Sequence, residues 1–154
     1  MKHENWSPWT LDEWAKNKCE YESMTKKERA EYLASKTPEE LDVIFIGWQK
    51  DPRDEEVQPF EDVKCGFCSY TKEQQDEILQ YVKEMFTPIK SYNYNTSSYG
   101  IKHGCERKLG YYISNNCMKV AMYLGGYMPD NAFDINHCYT ISKKSPYYKS
   151  RFIK

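Results

Sequence analysis

The spacing of apolar and polar residues predicts a mostly helical chain. In the first third, three segments open with a Thr that a Glu follows three residues later, ahead of apolar residues at helical spacing. In such a capping box the Thr hydroxyl accepts a hydrogen bond from an early helical amide, and the Glu side chain accepts one from the Thr amide. The pattern predicts helices over residues 11–21, 26–35 and 38–49.

The second half of the chain predicts three further helices and a strand. Apolar residues recur at helical spacing over residues 71–86, 99–109 and 115–124. Between them, residues 91–98 are polar with interspersed tyrosines, which is typical of a loop. Over residues 133–141 apolar and polar side chains alternate, which predicts a strand.

These elements predict a small single-domain fold that is mainly α, with one strand pair at most near residues 131–142. A chain of 154 residues is long enough for its own hydrophobic core. Residues 1–64 form an acidic helical half with 10 Lys and Arg against 16 Asp and Glu, and residues 65–154 form a basic half with 12 against 7. We expect the two halves to form one compact unit with a dipolar surface.

A Cys-x-x-Cys pair, Cys65 and Cys68, predicts half of a zinc site. Two thiolates separated by two residues can bind one tetrahedral ion, and Gly66 suits the tight turn between them. A redox pair of the thioredoxin type needs a βαβ framework that a helical chain lacks. Two free thiols in a loop are the other alternative.

The remaining zinc ligands are predicted at His137 and Cys138. On the predicted strand His137 faces inward and Cys138 faces the opposite side, so the two are alternatives as ligands of one ion. His137 also fits a buried core histidine. Further candidate ligands are Cys19, His103, Cys105 and Cys117.

The sequence favours neither a membrane protein nor an enzyme. No apolar run reaches a membrane-spanning length and the N-terminus lacks the apolar stretch of a secretory signal, so we expect a cytoplasmic protein with reduced cysteines. No Gly-rich phosphate loop, nucleophile elbow or His-Glu-x-x-His motif occurs. A pair of Cys105 and His103 lacks an orienting third group and an oxyanion hole.

Several strings in the second half resemble small proteins of phages and integrative elements in Gram-positive bacteria. They lie at residues 87–93, 97–103, 110–115 and 119–122, and Ser-Tyr-Gly-Ile-Lys-His at 98–103 is the most specific. The whole chain is similar to type II-A anti-CRISPR proteins, which inhibit Cas9 and include a zinc-carrying type. The resemblance implies a phage-encoded protein in the cytoplasm of a bacterial host. Its expected partner is Cas9 or the Cas9–guide complex, and its expected effect is to block target-DNA loading or binding.

An inhibitor of this kind needs a charged, aromatic-rich surface complementary to its target. Aromatic residues make up 16% of the chain, and 14 of them are Tyr. Residues 51–59 carry two prolines and four acidic residues, which predicts a solvent-facing loop. We predict that its acids Asp54, Glu55 and Glu56 bind a basic surface of the Cas effector.

The alternative is a small DNA-binding regulator. Residues 99–109 and 115–124 have helix-turn-helix proportions in a positively charged region. In that case Asn115, Asn116 and Lys119 of the second helix are the expected base readers. Short paired helices are more often packing elements, so the inhibitor ranks first and nucleic acid is a partner only in the alternative.

Overall fold

Helices form most of the fold. The computed structural model describes residues 7–50, 53 and 56–150, and 53% of these residues are helical. Its α-helices are α1 (Leu11–Glu22), α2 (Lys26–Ala34), α3 (Pro38–Ile44), α4 (Lys72–Met85), α5 (Ser98–Leu109), α6 (Asn115–Leu124) and α7 (Pro146–Ser150). Its strands form two antiparallel pairs, β1 (Trp48–Lys50) with β2 (Val57–Pro59) and β3 (Pro88–Ser97) with β4 (Cys138–Ile141). The predicted fold class, mainly α with a minor β element, is confirmed.

Four of these helices begin at or next to the residues predicted from the sequence, and local hydrogen bonds cap each start. At Thr10, Thr25 and Thr37 the hydroxyl accepts from the amide of the Glu three residues on, and that Glu accepts from the Thr amide. Thr71 and Gln74 form the same reciprocal pair at α4. A side-chain cap of this kind contributes about 1 kcal/mol, so these starts depend little on distant residues.

Helix α6 lies at the centre of the fold. Its residues 115–122 are all buried, and α3, α4 and α5 pack against it. Each of these helices contributes a fully buried apolar side chain to the shared core, including Leu41, Ile78 and Ile101. The packing therefore surrounds a helix whose sequence is partly polar.

The buried side of α6 carries a lysine. Lys119 is 1% exposed, and its ammonium donates to the carbonyls of Ile135 at 2.9 Å and Asp134 at 3.2 Å. Burial lowers the pKa of Lys119 from 10.5 to about 7, although the carboxylates of Glu61 and Asp134 act to raise it. The lysine thus joins α6 to the chain segment that leads into β4.

The predicted helix over residues 38–49 is wrong at its C-terminal end. Helix α3 ends at Ile44, and the chain then extends into β1 with Ile46 fully buried. A Cβ at Gly47 would lie 2.6 Å from the Cα of Ile135. The close approach of two backbones and the burial of this apolar segment override its local helical pattern.

Two predicted loops contain strands. Part of the predicted loop over residues 51–59 is β2, which pairs with β1. The predicted loop over residues 91–98 lies almost entirely in β3, which pairs with β4 across two register shifts. Two strand pairs therefore replace the single pair expected near residues 131–142.

Strand β3 contains buried polar side chains, and a distant tyrosine forms hydrogen bonds with them. Asn93 and Thr96 are both buried. The amide of Asn93 donates to the hydroxyl of Tyr148 at 2.8 Å, and that hydroxyl donates to Thr96 at 2.6 Å. These polar side chains, which water would solvate in a loop, are buried in the sheet and bonded to Tyr148.

The predicted strand over residues 133–141 is shorter than expected. Only β4 is extended in a sheet, and within it Tyr139 and Ile141 are buried while Cys138 and Thr140 are half-buried. The predicted alternation of more and less buried side chains is therefore confirmed over residues 133–141, whereas the strand itself is confirmed for β4 alone.

Replacing Lys119 with Met should reduce the pH dependence of stability above neutrality. Between pH 7 and 10.5 the unfolded chain keeps a Lys119 proton that the folded chain has lost. The free energy of unfolding therefore rises with pH, by up to about 1.4 kcal/mol per pH unit. Urea unfolding of both proteins between about pH 7 and pH 9 measures the difference.

The other titratable groups facing Lys119 are Glu61, Asp134 and His137. They are present in both proteins, so their contributions largely cancel in the comparison. The difference in the free energy of unfolding between the natural protein and Lys119→Met should change steadily with pH. A difference in the free energy of unfolding that stays constant with pH contradicts a lowered pKa of Lys119.

Candidate functional site

Protein groups hold the turn between Cys65 and Cys68. The carboxylate of Asp42, on α3, is buried and accepts from the amides of Phe67 at 2.8 Å and Cys68 at 2.9 Å. A Cβ at Gly66 would lie 2.5 Å from the Asp42 carboxyl carbon. Glycine is therefore needed for Asp42 to reach the turn, and two of the turn's amides are already bonded.

The same turn supports the start of α6. The hydroxyl of Ser114 accepts from the amide of Cys117 at 3.0 Å and donates to the carbonyl of Cys65 at 2.5 Å. The carboxylate of Glu61 accepts from the amide of Asn116 at 2.8 Å. A negative charge at this position also interacts favourably with the helix dipole. Hydrogen bonds thus connect α3, the turn and α6.

Both thiols of the turn favour the protonated form. Cys65 is exposed and Cys68 is half-buried. Burial, together with the carboxylates of Asp42 and Glu39, raises the pKa of Cys68 to about 12. Burial and two nearby carboxylates also raise the pKa of Cys65. Zinc binds thiolates, so an ion at this turn has to displace two protons.

His137 is a core residue. It is fully buried, its Nε2 lies 3.0 Å from the carbonyl of Ala132, and its ring packs edge-on against Phe45 at 4.9 Å. Its Nδ1 has no hydrogen-bond partner within the described residues. Burial lowers the pKa of His137 well below its usual value, so the ring is neutral. Cys138 is half-buried in β4, and its amide donates to Asp130.

The described part of the chain holds no complete metal site. Within residues 7–50, 53 and 56–150, no group of three or more His, Cys, Asp and Glu side chains is arranged to hold an ion. The predicted ligands Cys65, Cys68, His137 and Cys138 are thus not assembled as one set. Zinc stays a prediction that depends on Cys65 and Cys68.

The residues expected to read DNA bases are inside the protein. Asn115, Asn116 and Lys119 are 1%, 0% and 1% exposed. Asn115 and Lys119 donate to the carbonyl of Ile135, and Asn116 donates to the carbonyl of Asp42. This part of the regulator alternative is wrong, because the start of α6 belongs to the core.

An acidic groove runs along α4. It has a volume of about 460 Å³, with Tyr81 and Leu109 at its apolar floor. Its rim carries Glu73, Asp76, Glu77 and Glu84. All four acids are exposed. Asp76 and Glu77 lie three and four residues after Glu73, and Glu84 lies seven after Glu77, so the four share one side of the helix. We call this feature the α4 groove.

The rim of the α4 groove keeps most of its negative charge. Asp76 pairs with Lys72 at 2.7 Å, and the Tyr111 hydroxyl lies 3.3 Å from Glu77. No Lys or Arg among the described residues forms an ion pair with Glu73, Glu77 or Glu84. Lys108 is the cationic lining residue, at the edge of the groove.

The α4 groove was missed in the sequence because α4 falls within the half that is basic on average. A signal was present, since Glu77 lies four positions after Glu73 and seven before Glu84, which is helical spacing. Of the loop acids that were predicted to bind the partner, Glu56 is exposed. Asp54 and Glu55 lie outside the described residues.

Comparison with family models, with characterised proteins and with solved structures finds no significant match for this chain. Among the described helices, none is long and apolar enough to cross a membrane. The resemblance to phage proteins therefore stays a prediction.

Protein purified without chelator should contain about one zinc ion per chain if the Cys-x-x-Cys prediction is right. The double variant Cys65→Ser, Cys68→Ser should lose the ion and part of its thermal stability, because a structural ion stabilises the fold that binds it. Elemental analysis and thermal unfolding with and without EDTA measure both effects. Cys19→Ser, at an exposed position of α1, is the control and should retain the metal. If the purified natural protein contains no zinc, the prediction is contradicted. In that case Asp42 holds the turn without a metal ion.

Proposed function

We propose that this chain is a phage-type inhibitor that binds a Cas9-type effector through the α4 groove and blocks its use of target DNA. The proposal depends on one observation, the combination of an apolar floor and an acidic rim in a single exposed groove. The resemblance of the second half to proteins of mobile elements supports the class of partner.

The chemistry of the groove defines its occupant as a basic segment with an apolar side chain. Contact with Tyr81 and Leu109 removes apolar surface from water, which supplies affinity. Lys or Arg residues beside that apolar side chain would pair with the rim carboxylates, which adds orientation and speeds association. A volume of about 460 Å³ is sufficient for a drug-sized group, so one or two partner side chains fit.

Cas9-type effectors offer basic surfaces of this kind. They hold the guide–target heteroduplex in a positively charged channel and contact its backbone. An acidic groove bound at such a channel competes with phosphates for the same Lys and Arg side chains. Local charge is sufficient for this competition, and the formal net charge of the whole chain is only −1.

Reversing charge on the rim should weaken binding to a Cas9–guide complex. We expect Glu73→Lys with Glu84→Lys to lose about tenfold in affinity, mainly through slower association, because exposed charges steer encounter. Biolayer interferometry on the immobilised complex measures both rate constants. The natural protein should also lose more affinity than the variant when salt is raised, since its attraction is screened.

The matched control is Glu20→Lys with Glu31→Lys. It makes the same change in charge at exposed positions of α1 and α2 and should stay within about twofold of the natural protein. Equal losses in the two double variants would show that net charge drives binding without the groove. Absence of binding by the natural protein rejects the inhibitor proposal.

The loop acids give a second arm of the same experiment. A triple reversal of Asp54, Glu55 and Glu56 to Lys tests the contact predicted from the sequence. If it costs more affinity than the rim variant, the partner binds at the β1–β2 connection. Lys143→Glu with Lys144→Glu should change affinity much less, because both side chains are exposed and neither lines the α4 groove.

A further inference from the structure

A second face, half-buried along most of its length and exposed at Arg107, lies on α5. Gly100, His103, Gly104 and Arg107 recur at helical spacing of three and four residues, so they share one side of the helix. We call them the α5 stripe. Two grooves of about 430 and 450 Å³ adjoin along it, and Arg107 lines both.

The α5 stripe is electropositive. Arg107 and Lys108 of α5 and Lys149 of α7 line the first groove, and no Asp or Glu lines either groove. All three cations are exposed, and none forms an ion pair with a described residue. Lys108 also borders the acidic α4 groove, so Arg107 and Lys149 are the cations that belong to this face alone.

Among the described residues, Glu106 is the carboxylate that forms an ion pair with a stripe residue, and Lys102 already balances its charge. Glu106 lies 3.4 Å from the Nδ1 of His103. Its other oxygen lies 2.6 Å from the ammonium of Lys102, which is buried beside it. The local balance of charge on this face therefore stays positive.

An exposed aromatic ring completes the second groove. Tyr99 is 49% exposed, and its ring is fixed by an edge contact with His103 at 4.6 Å. Gly100 beside it has no close neighbour, since a Cβ there would meet only the Tyr147 hydroxyl at 3.8 Å. A chain of phosphates can approach the helix backbone here, and a base can stack on the tyrosine.

We propose that the α5 stripe binds single-stranded nucleic acid, with Arg107 and Lys149 on phosphates and Tyr99 stacked on an unpaired base. Cations in a groove beside an exposed aromatic ring are the combination that single strands use. Duplex reading is not expected, because the polar residues of α6 that would face a DNA groove are buried.

Fluorescence anisotropy with a labelled oligonucleotide of about 12 unpaired nucleotides tests the proposal. The natural protein should bind it, and affinity should fall steeply as salt is raised. Arg107→Glu with Lys149→Glu should lose roughly tenfold or more in affinity. Tyr99→Ala should lose roughly five- to tenfold. Circular dichroism of each variant checks that these exposed substitutions leave the fold intact.

Lys16→Glu with Lys27→Glu is the matched control, with the same change in charge at exposed positions of α1 and α2. It should bind within about twofold of the natural protein, and equal loss in both double variants overturns the assignment to this face. The preference for single strands is overturned if a duplex of the same length, or a polyglutamate peptide, binds as tightly as the single strand. It is also overturned if Tyr99→Ala binds the single strand as tightly as the natural protein does. The probe contains no protein, so failure here is distinct from failure to bind Cas9.

Discussion

The structure depends on burying the polar start of α6. Ser114, Asn115, Asn116 and Lys119 are all inside the protein, and a buried polar group without a partner costs about 1–3 kcal/mol. Their side chains donate to carbonyls of the Cys65–Cys68 turn, of α3 and of the segment before β4, while the Oδ1 atoms of Asn115 and Asn116 have no partner within the described residues. Each of these partners is distant in sequence, so forming α6 in its place requires the rest of the fold.

Asp42 has two roles in this arrangement. Its carboxylate holds the turn through the amides of Phe67 and Cys68, and its backbone carbonyl accepts from Asn116. The turn in turn binds Ser114 through the carbonyl of Cys65. One residue of α3 thus fixes both the Cys-x-x-Cys turn and the first turn of α6. From the sequence, a zinc ion was expected to hold this turn.

The core leaves two charged faces on neighbouring helices. The acidic α4 groove and the electropositive α5 stripe meet near Tyr81 and Lys108, which line grooves of both signs. A division of the chain into an acidic and a basic half does not show this, because the acidic α4 groove lies in the basic half. The two proposals assign the faces to different partners, a basic protein surface and a nucleic-acid strand. A protein–nucleic-acid complex presents both.

Local signals were predictable from the sequence and distant ones were not. The starts of α1 to α4 were predicted because capping boxes act over three residues. Strand β3 was missed because Tyr148 satisfies its polar side chains from more than 50 positions away. The Cys-x-x-Cys turn suggested a metal because its actual partner, Asp42, lies about 25 residues earlier. The burial of Asn115, Asn116 and Lys119 was likewise invisible, since their acceptors are backbone carbonyls.

The most direct test of this account is hydrogen exchange at the Phe67 and Cys68 amides in Asp42→Asn. An asparagine presents one acceptor where the carboxylate presents two, so one buried amide loses its bond. We expect a loss of about 2–3 kcal/mol in the free energy of unfolding and faster exchange at one or both amides. Asp62→Asn, which removes charge from an exposed cap of the same turn, should cost less than about 1 kcal/mol. Unchanged stability and full amide protection in Asp42→Asn would contradict the account and show that something other than Asp42 holds the turn.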